Sequence, residues 1–286
     1  MPCSDLLRPL PRGNRPAAWL VLSLLAAPIA CAELPPPQAA PCPTAEPAAT
    51  AAPTPTTAPP APTVTAKVDE PPPPPSMTFA DAVKDAATVT PEEVSTALVP
   101  ILPSTRGLVW NDKGPTKRVL MVTWTSYKGY DDQVGKSQAL GRETWVTPAP
   151  LVADACKGKG GDPAALSARL EKLLGLPANN GKDRFVELWT DPKDMFRPCP
   201  DPEITDRECG LDLPQPQSMV TVSAAHVKWF EDLKAKSYGE GGYPWTRLGY
   251  TFDWGSATHV GLSEYVIKKG AEITVERVVG NTEYCK

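Results

Sequence analysis

The chain has 286 residues, 36 of them proline, and a formal net charge of −4. Mild acidity, with no Lys/Arg cluster interleaved with aromatics, excludes a protein that binds nucleic acid through its phosphates. Two histidines leave little material for His-based acid–base or metal chemistry.

Residues 1–30 carry a basic start (Arg8, Arg12, Arg15), an apolar run over 17–30 and small residues next to Cys31. That order is an export signal, and the run is too short for a spanning helix. Ala27-Pro28-Ile29-Ala30-Cys31 resembles the cleavage box of bacterial lipoprotein precursors, although Pro28 stands where the family usually has an aliphatic residue. The resemblance covers this stretch alone. It implies a diacylglyceryl group on Cys31, a mature chain beginning there, and a membrane as partner through that lipid. The implied location is the cell envelope, facing the periplasm or the exterior. Ala30-Cys31-Ala32 also fits an ordinary signal peptidase site, which would give a soluble secreted protein instead.

Residues 31–76 are nearly all Pro, Ala, Thr and acidic side chains, ending in five prolines at 71–75. Such a segment cannot bury enough apolar surface to fold and favours polyproline II. At about 3.1 Å per residue it would reach on the order of 130 Å when extended. Next comes a short helical segment over 77–100. Thr78 is placed to cap a helix over 79–87, and Thr90-Pro91 opens a second through Leu98, stopped by Pro100 and Pro103. Whether this segment packs on the domain after it stays open at the level of sequence.

Residues 101–286, about 185 in number, suffice for one sizeable core. RVLMVTWT (118–125) is apolar on both faces and reads as a central strand covered on both sides. Strands are also expected at 143–147, 184–190, 245–252 and 260–267. A last strand, 272–279, is expected to form a hairpin with 260–267 across the turn at 268–271. Asp162-Pro163 opens a helix whose stripe is Leu166, Leu170, Leu173 and Leu174, ended at Gly175. Ser223 caps a second helix over 224–237. The expected fold is a single α+β domain with a mostly antiparallel or mixed sheet and two main helices.

Four cysteines fall in this domain: Cys156, Cys199, Cys209 and Cys285. An even number in an exported domain argues for two disulfides, and Cys199–Cys209 with Cys156–Cys285 is the favoured pairing of three. Cys42 is left over. Asp201, Glu203, Asp206 and Glu208 share the loop between the first pair and read as a solvated acidic loop, off the spacing of a calcium loop. No metal or cofactor is expected.

The densest chemistry lies over 237–267. Tyr243, Trp245, Arg247, Tyr250 and Trp254 are candidates for a binding surface, with rings for stacking and a guanidinium for polar contacts. Phe252, in the same stretch, admits the same reading, and core packing is the competing one for all the rings. Asp253, Glu264 and His259, with Glu187 in FVELW, are the candidate acids and bases. Glu264 falls in an apolar row with Val260, Leu262 and Val266, so it is expected to have a partner such as Arg247 or His259. His226 is expected to be half-buried with one hydrogen bond. Nucleophile-elbow, HExxH, GxGxxG and P-loop patterns are absent. The expectation is therefore a binding or structural envelope protein for a cell-wall, glycan or protein partner, with a hydrolase using Asp253 and Glu264 as the alternative.

Overall fold

A computed structural model describes residues 77–215, 218 and 220–286. The signal region, Cys31, Cys42 and the proline-rich tether lie outside the described residues.

In chain order the elements are α1 (Phe79–Ala86), β1 (Trp110–Asn111), β2 (Arg118–Thr125), β3 (Ser137–Ala139), β4 (Thr144–Pro148), α2 (Ala149–Cys156) and α3 (Pro163–Leu173). They continue with β5 (Arg184–Thr190), β6 (Met195–Phe196), α4 (Ala224–Ser237), β7 (Tyr250–Phe252), β8 (Val260–Ser263), β9 (Tyr265–Ile267), β10 (Glu272–Gly280) and α5 (Asn281–Tyr284). The fold is α+β, with an eight-stranded, mostly antiparallel sheet ordered β3-β10-β5-β2-β4-β9-β6, β1 pairing with β2. α3 and α4 are the longest helices. Asp162 accepts from the Ala164 and Ala165 N–H groups, and Ser223 from that of His226, so both start on the side chains expected to cap them.

The expected hairpin between 260–267 and 272–279 does not form. β10 lies between β3 and β5, whereas β9 lies between β4 and β6. What pairs instead are two bent strands. Ser137 stands opposite Thr274, Ala139 opposite Glu272, Thr144 opposite Ile267 and Val146 opposite Tyr265, one register held across a corner with no residue inserted. At that corner Leu140 N–H donates to Ala271 O and Gly270 N–H to Leu140 O. β3–β4 therefore runs as one bent strand against β9–β10. β2 and β5 join the other edges of this pair, so the sheet curls back on itself around an apolar interior. Periodicity detected the strands, but a short link between apolar runs reads as a hairpin turn whether or not the chain reverses.

β2 is covered on both faces, as its pattern predicts. Val119 and Met121 point to the interior with Val186, Leu188, Tyr265 and Ile273. Leu120, Val122 and Trp124 point outward, where α2, α3 and α5 bring Val152, Leu166 and Tyr284. Both expected disulfides are present, Cys156–Cys285 across 129 positions and Cys199–Cys209 across 10. Removing either frees unfolded-state entropy, worth about 5 and about 3 kcal/mol respectively in the loop-closure description.

The segment before residue 101 packs onto the rest. Ala82 and Ala86 are buried with Phe252, and Leu98 with Leu248 and Tyr250. The second expected helix reduces to one 3₁₀ turn, Pro91–Glu93. Beyond it, Leu98 N–H donates to Arg207 O and Val99 N–H to the Ser263 hydroxyl. These tertiary bonds, and the extended bias of a residue before Pro100, outweigh a weak local helical preference.

Candidate functional site

A cleft of about 860 Å³ opens on the outward face of the sheet. Its floor follows from the register. Val122 is paired with Thr147, and the ladder of β4 against β9 places Glu264 one step beyond Tyr265, beside Thr147. Side chains alternate along strands, so Val122, Trp124, Trp145, Thr147 and Glu264 share this outward face. One wall comes from α2 and the end of α3 through Val152, Leu174 and Leu176; the other comes from Leu233 and Ser237 of α4 with Tyr243, Trp245 and Phe252. Tyr127 and Tyr130 stand at the rim, their rings edge to face at 5.4 Å.

Glu264 is 8% exposed. Its backbone N–H donates to Gly249 O at 3.0 Å, which interrupts the expected strand over 260–267 between β8 and β9. Gly249 (φ 77°) and Arg247 (φ 61°) both take left-handed backbone, so the strand expected over 245–252 shrinks to β7. A Cβ on Gly249 would meet Arg197 Cδ at 2.6 Å, so the carbonyl that receives Glu264 sits on a residue that has to be glycine.

The expected partner of Glu264 is absent among the described residues: neither Arg247 nor His259 reaches its carboxyl. Arg247 donates to Ala87 O at 3.3 Å and lies over the Tyr238 ring. His259 stacks on Phe252, with Nδ1 3.7 Å from Asp85. Burial alone pushes the Glu264 carboxyl up to about 8, so at neutral pH it holds its proton.

The other candidate acids are committed elsewhere. Asp253 receives both guanidinium nitrogens of Arg169, at 2.9 and 2.6 Å, and the Gly255 N–H, and it does not line the cleft. Glu187 is likewise gripped by Arg277 at 2.6 and 2.8 Å. His226 lies buried with Nε2 2.8 Å from Cys199 O, and burial holds its ring below the ordinary imidazole value. In the acidic loop Asp201 accepts from the Glu203 N–H, Glu203 from Thr205, and Asp206 pairs with buried Arg197; three of the four carboxylates thus serve the loop itself. Among the described residues no His, Cys, Asp and Glu side chains group as metal ligands.

Of the five residues expected to bind, Tyr243 and Trp245 line the cleft. Tyr243 is half exposed, and Trp245 is buried with its indole N–H on Pro198 O. The other three fasten the N-terminal segment. Tyr250 donates its hydroxyl to Glu93 O at 2.8 Å, Arg247 bonds Ala87 O, and Trp254 packs edge-on to Phe79.

Several lining residues escaped the sequence reading. Trp145 is 36% exposed, on a strand otherwise buried toward its end, and lies 6.5 Å from Trp229, whose indole N–H donates to Glu143. Arg142 follows the corner of the bent strand with its guanidinium over Tyr127, and Lys182 donates to Trp124 O at 3.0 Å. The signal for Trp145 was present, an aromatic on the outward parity of a strand; what covers that face is not encoded locally. No protein family, curated protein or solved structure matches the chain.

Proposed function

We propose that this chain is an exported envelope protein whose folded part binds a small ring-bearing ligand, a cell-wall glycan fragment in the first instance. The reading combines the lipoprotein-like start and the proline-rich tether with two disulfides, which persist in oxidising compartments. The anchor is the lipid on Cys31, and the tether holds the domain off the membrane. One observation carries the binding role: Glu264, a buried acid without a partner, on the floor of a cleft walled by Trp145, Trp245, Tyr243 and Phe252. The Glu264 carboxyl has no hydrogen-bond partner among the described residues and opens into the cleft, so a ligand hydroxyl or amide can meet it there. Rings supply stacking faces for a sugar.

The alternative, a hydrolase with Asp253 and Glu264 as its acids, loses its second acid, because Asp253 is chelated by Arg169 outside the cleft. The cleft's other carboxylate, Glu143, is exposed and accepts from Trp229.

Two measurements test the proposal. Intact mass of the mature protein from its host should correspond to a chain starting at Cys31 with a diacylglyceryl group; a start after Ala32 without lipid removes the anchor. Retention of the mature protein on insoluble cell-wall glycan should fall on Trp145→Ala and Glu264→Ala while released sugar stays at background. Turnover of the glycan, abolished in Glu264→Gln with folding intact, would instead establish the hydrolase.

A further inference from the structure

Two cations line the cleft with no acid opposite them. Arg142 stands at the corner of the bent strand, its guanidinium carbon 5.6 Å from the centre of the Tyr127 ring. Lys182 reaches in from the loop before β5 and uses one of its three N–H donors on Trp124 O. Burial, and then the Arg142 guanidinium, hold the Lys182 ammonium below its ordinary value, so the two charges repel across the same space. Among the described residues neither has a carboxylate within salt-bridge distance, whereas Arg118, Arg169, Arg184 and Arg277 each do. The acids of the cleft lie beyond salt-bridge distance of both: Glu143 accepts from the Trp229 indole, and burial pushes the Glu264 carboxyl up.

The register sets the spacing. Lys182 is bound to Trp124, two residues along β2 from Val122, which marks the level of Thr147 and Glu264. Two residues of extended chain span about 7 Å. Glu264 also lies two strands across from Val122, at about 4.8 Å per strand, so the interval from Lys182 to Glu264 is on the order of 12 Å at the backbone, and a ring with extended substituents spans it together with the reach of the two side chains.

We infer that Arg142 and Lys182 form an anion subsite, and that the cleft takes an acidic sugar, a ring bearing one carboxylate or phosphate. The anion lies between the two cations, the ring stacks over Trp145, and a hydroxyl or amide at the far side meets Glu264. An anion relieves the repulsion between the cations and supplies acceptors for the free donors of both. This inference rests on the binding reading above and names the ligand class for that cleft.

Titration calorimetry of the mature protein with three probes tests it: N-acetylmuramic acid, N-acetylglucosamine 6-phosphate and neutral N-acetylglucosamine. One of the acidic sugars should bind at least about tenfold more tightly than the neutral one, and which of the two does so separates carboxylate from phosphate recognition. Arg142→Gln and Lys182→Met should each erase that preference, Lys182→Arg should keep most of it, and thermal unfolding should report all three variants as folded. Equal binding of the neutral and acidic sugars, or an acidic preference that survives both charge removals, overturns the anion subsite while leaving a glycan-binding cleft. Absence of binding by all three overturns the acidic-sugar assignment; retention on insoluble glycan then decides separately whether the cleft binds glycan at all.

Discussion

Two halves of the same outward face are built to opposite rules. On the side packed by α2, α3 and α5 the candidate acids are answered, Asp253 after β7 by Arg169 of α3 and Glu187 on β5 by Arg277, and the covering layer is clamped by Cys156–Cys285. Around the cleft, Glu264 at the β8–β9 junction, Arg142 at the corner before β4 and Lys182 in the loop before β5 have no ionic partner among the described residues, and the rings beside them face an open cleft. Burial of a carboxylate is therefore not what distinguishes a site here, since Asp253 is 2% and Glu264 8% exposed. The distinction is whether the protein itself supplies the counterpart.

The largest test of this contrast is on the closed half. Replacing both Cys156 and Cys285 with Ser should lower stability by about 5 kcal/mol in chemical denaturation, without changing the ligand affinity of the folded fraction. Next, Arg169→Leu strands Asp253 without a cation. The expected loss is about 3 kcal/mol, at the low end for a broken buried pair because Arg169 is a third exposed, and Asp253→Asn in the same chain should recover part of it.

Glu264 should respond with the opposite sign. Its folded value, near 8, stands above the ordinary 4.5, so the unfolded chain ionises first as pH rises. Stability associated with this group is fully present below pH 4.5 and declines until about pH 8. Glu264→Gln should consequently match the parent near pH 4 and exceed it at pH 8, by about 1–3 kcal/mol given about 1.4 kcal/mol per unit and some relaxation of the site. A parent whose stability is flat over that interval would mean that Glu264 finds a partner in solution. The smallest effect on stability belongs to Trp145→Ala, under about 1 kcal/mol for a part-exposed strand position. Its retention on glycan should fall tenfold or more, so the two halves separate by what each variant changes.

Much of the fold was legible because it is local. The 118–125 strand with both faces covered, the capped helices at Asp162 and Ser223, and the presence of two disulfides follow from periodicity, capping chemistry and an even count; the pairing was the favoured one of three. The order of the sheet was not legible. The link at 268–271 carries the chain round a corner instead of reversing it, and only the strands on either side decide which. The site divides in the same way. Glu264 stands out in the sequence as an acid among apolar neighbours, but its isolation depends on Arg247 and His259 being turned elsewhere by left-handed backbone at 247 and 259. Arg247, Tyr250 and Trp254 looked like ligand contacts because a ring or guanidinium suits an internal partner as well as an external one. Their partner is the segment over 79–93.

That segment has a mechanical consequence. Val99 is held from both sides of Glu264, its N–H by the Ser263 hydroxyl and its carbonyl by the Tyr265 hydroxyl. Tension applied to the chain ahead of Met77 therefore meets the Phe79 ring contacts and the Glu93 and Ala87 carbonyls first, then pulls on the two residues that flank the floor of the cleft. Stretching the chain by its N-terminal end in a force experiment should therefore load the Cys199–Cys209 loop through the Leu98–Arg207 bond and the strand around Glu264 through Val99, before the layer clamped by Cys156–Cys285.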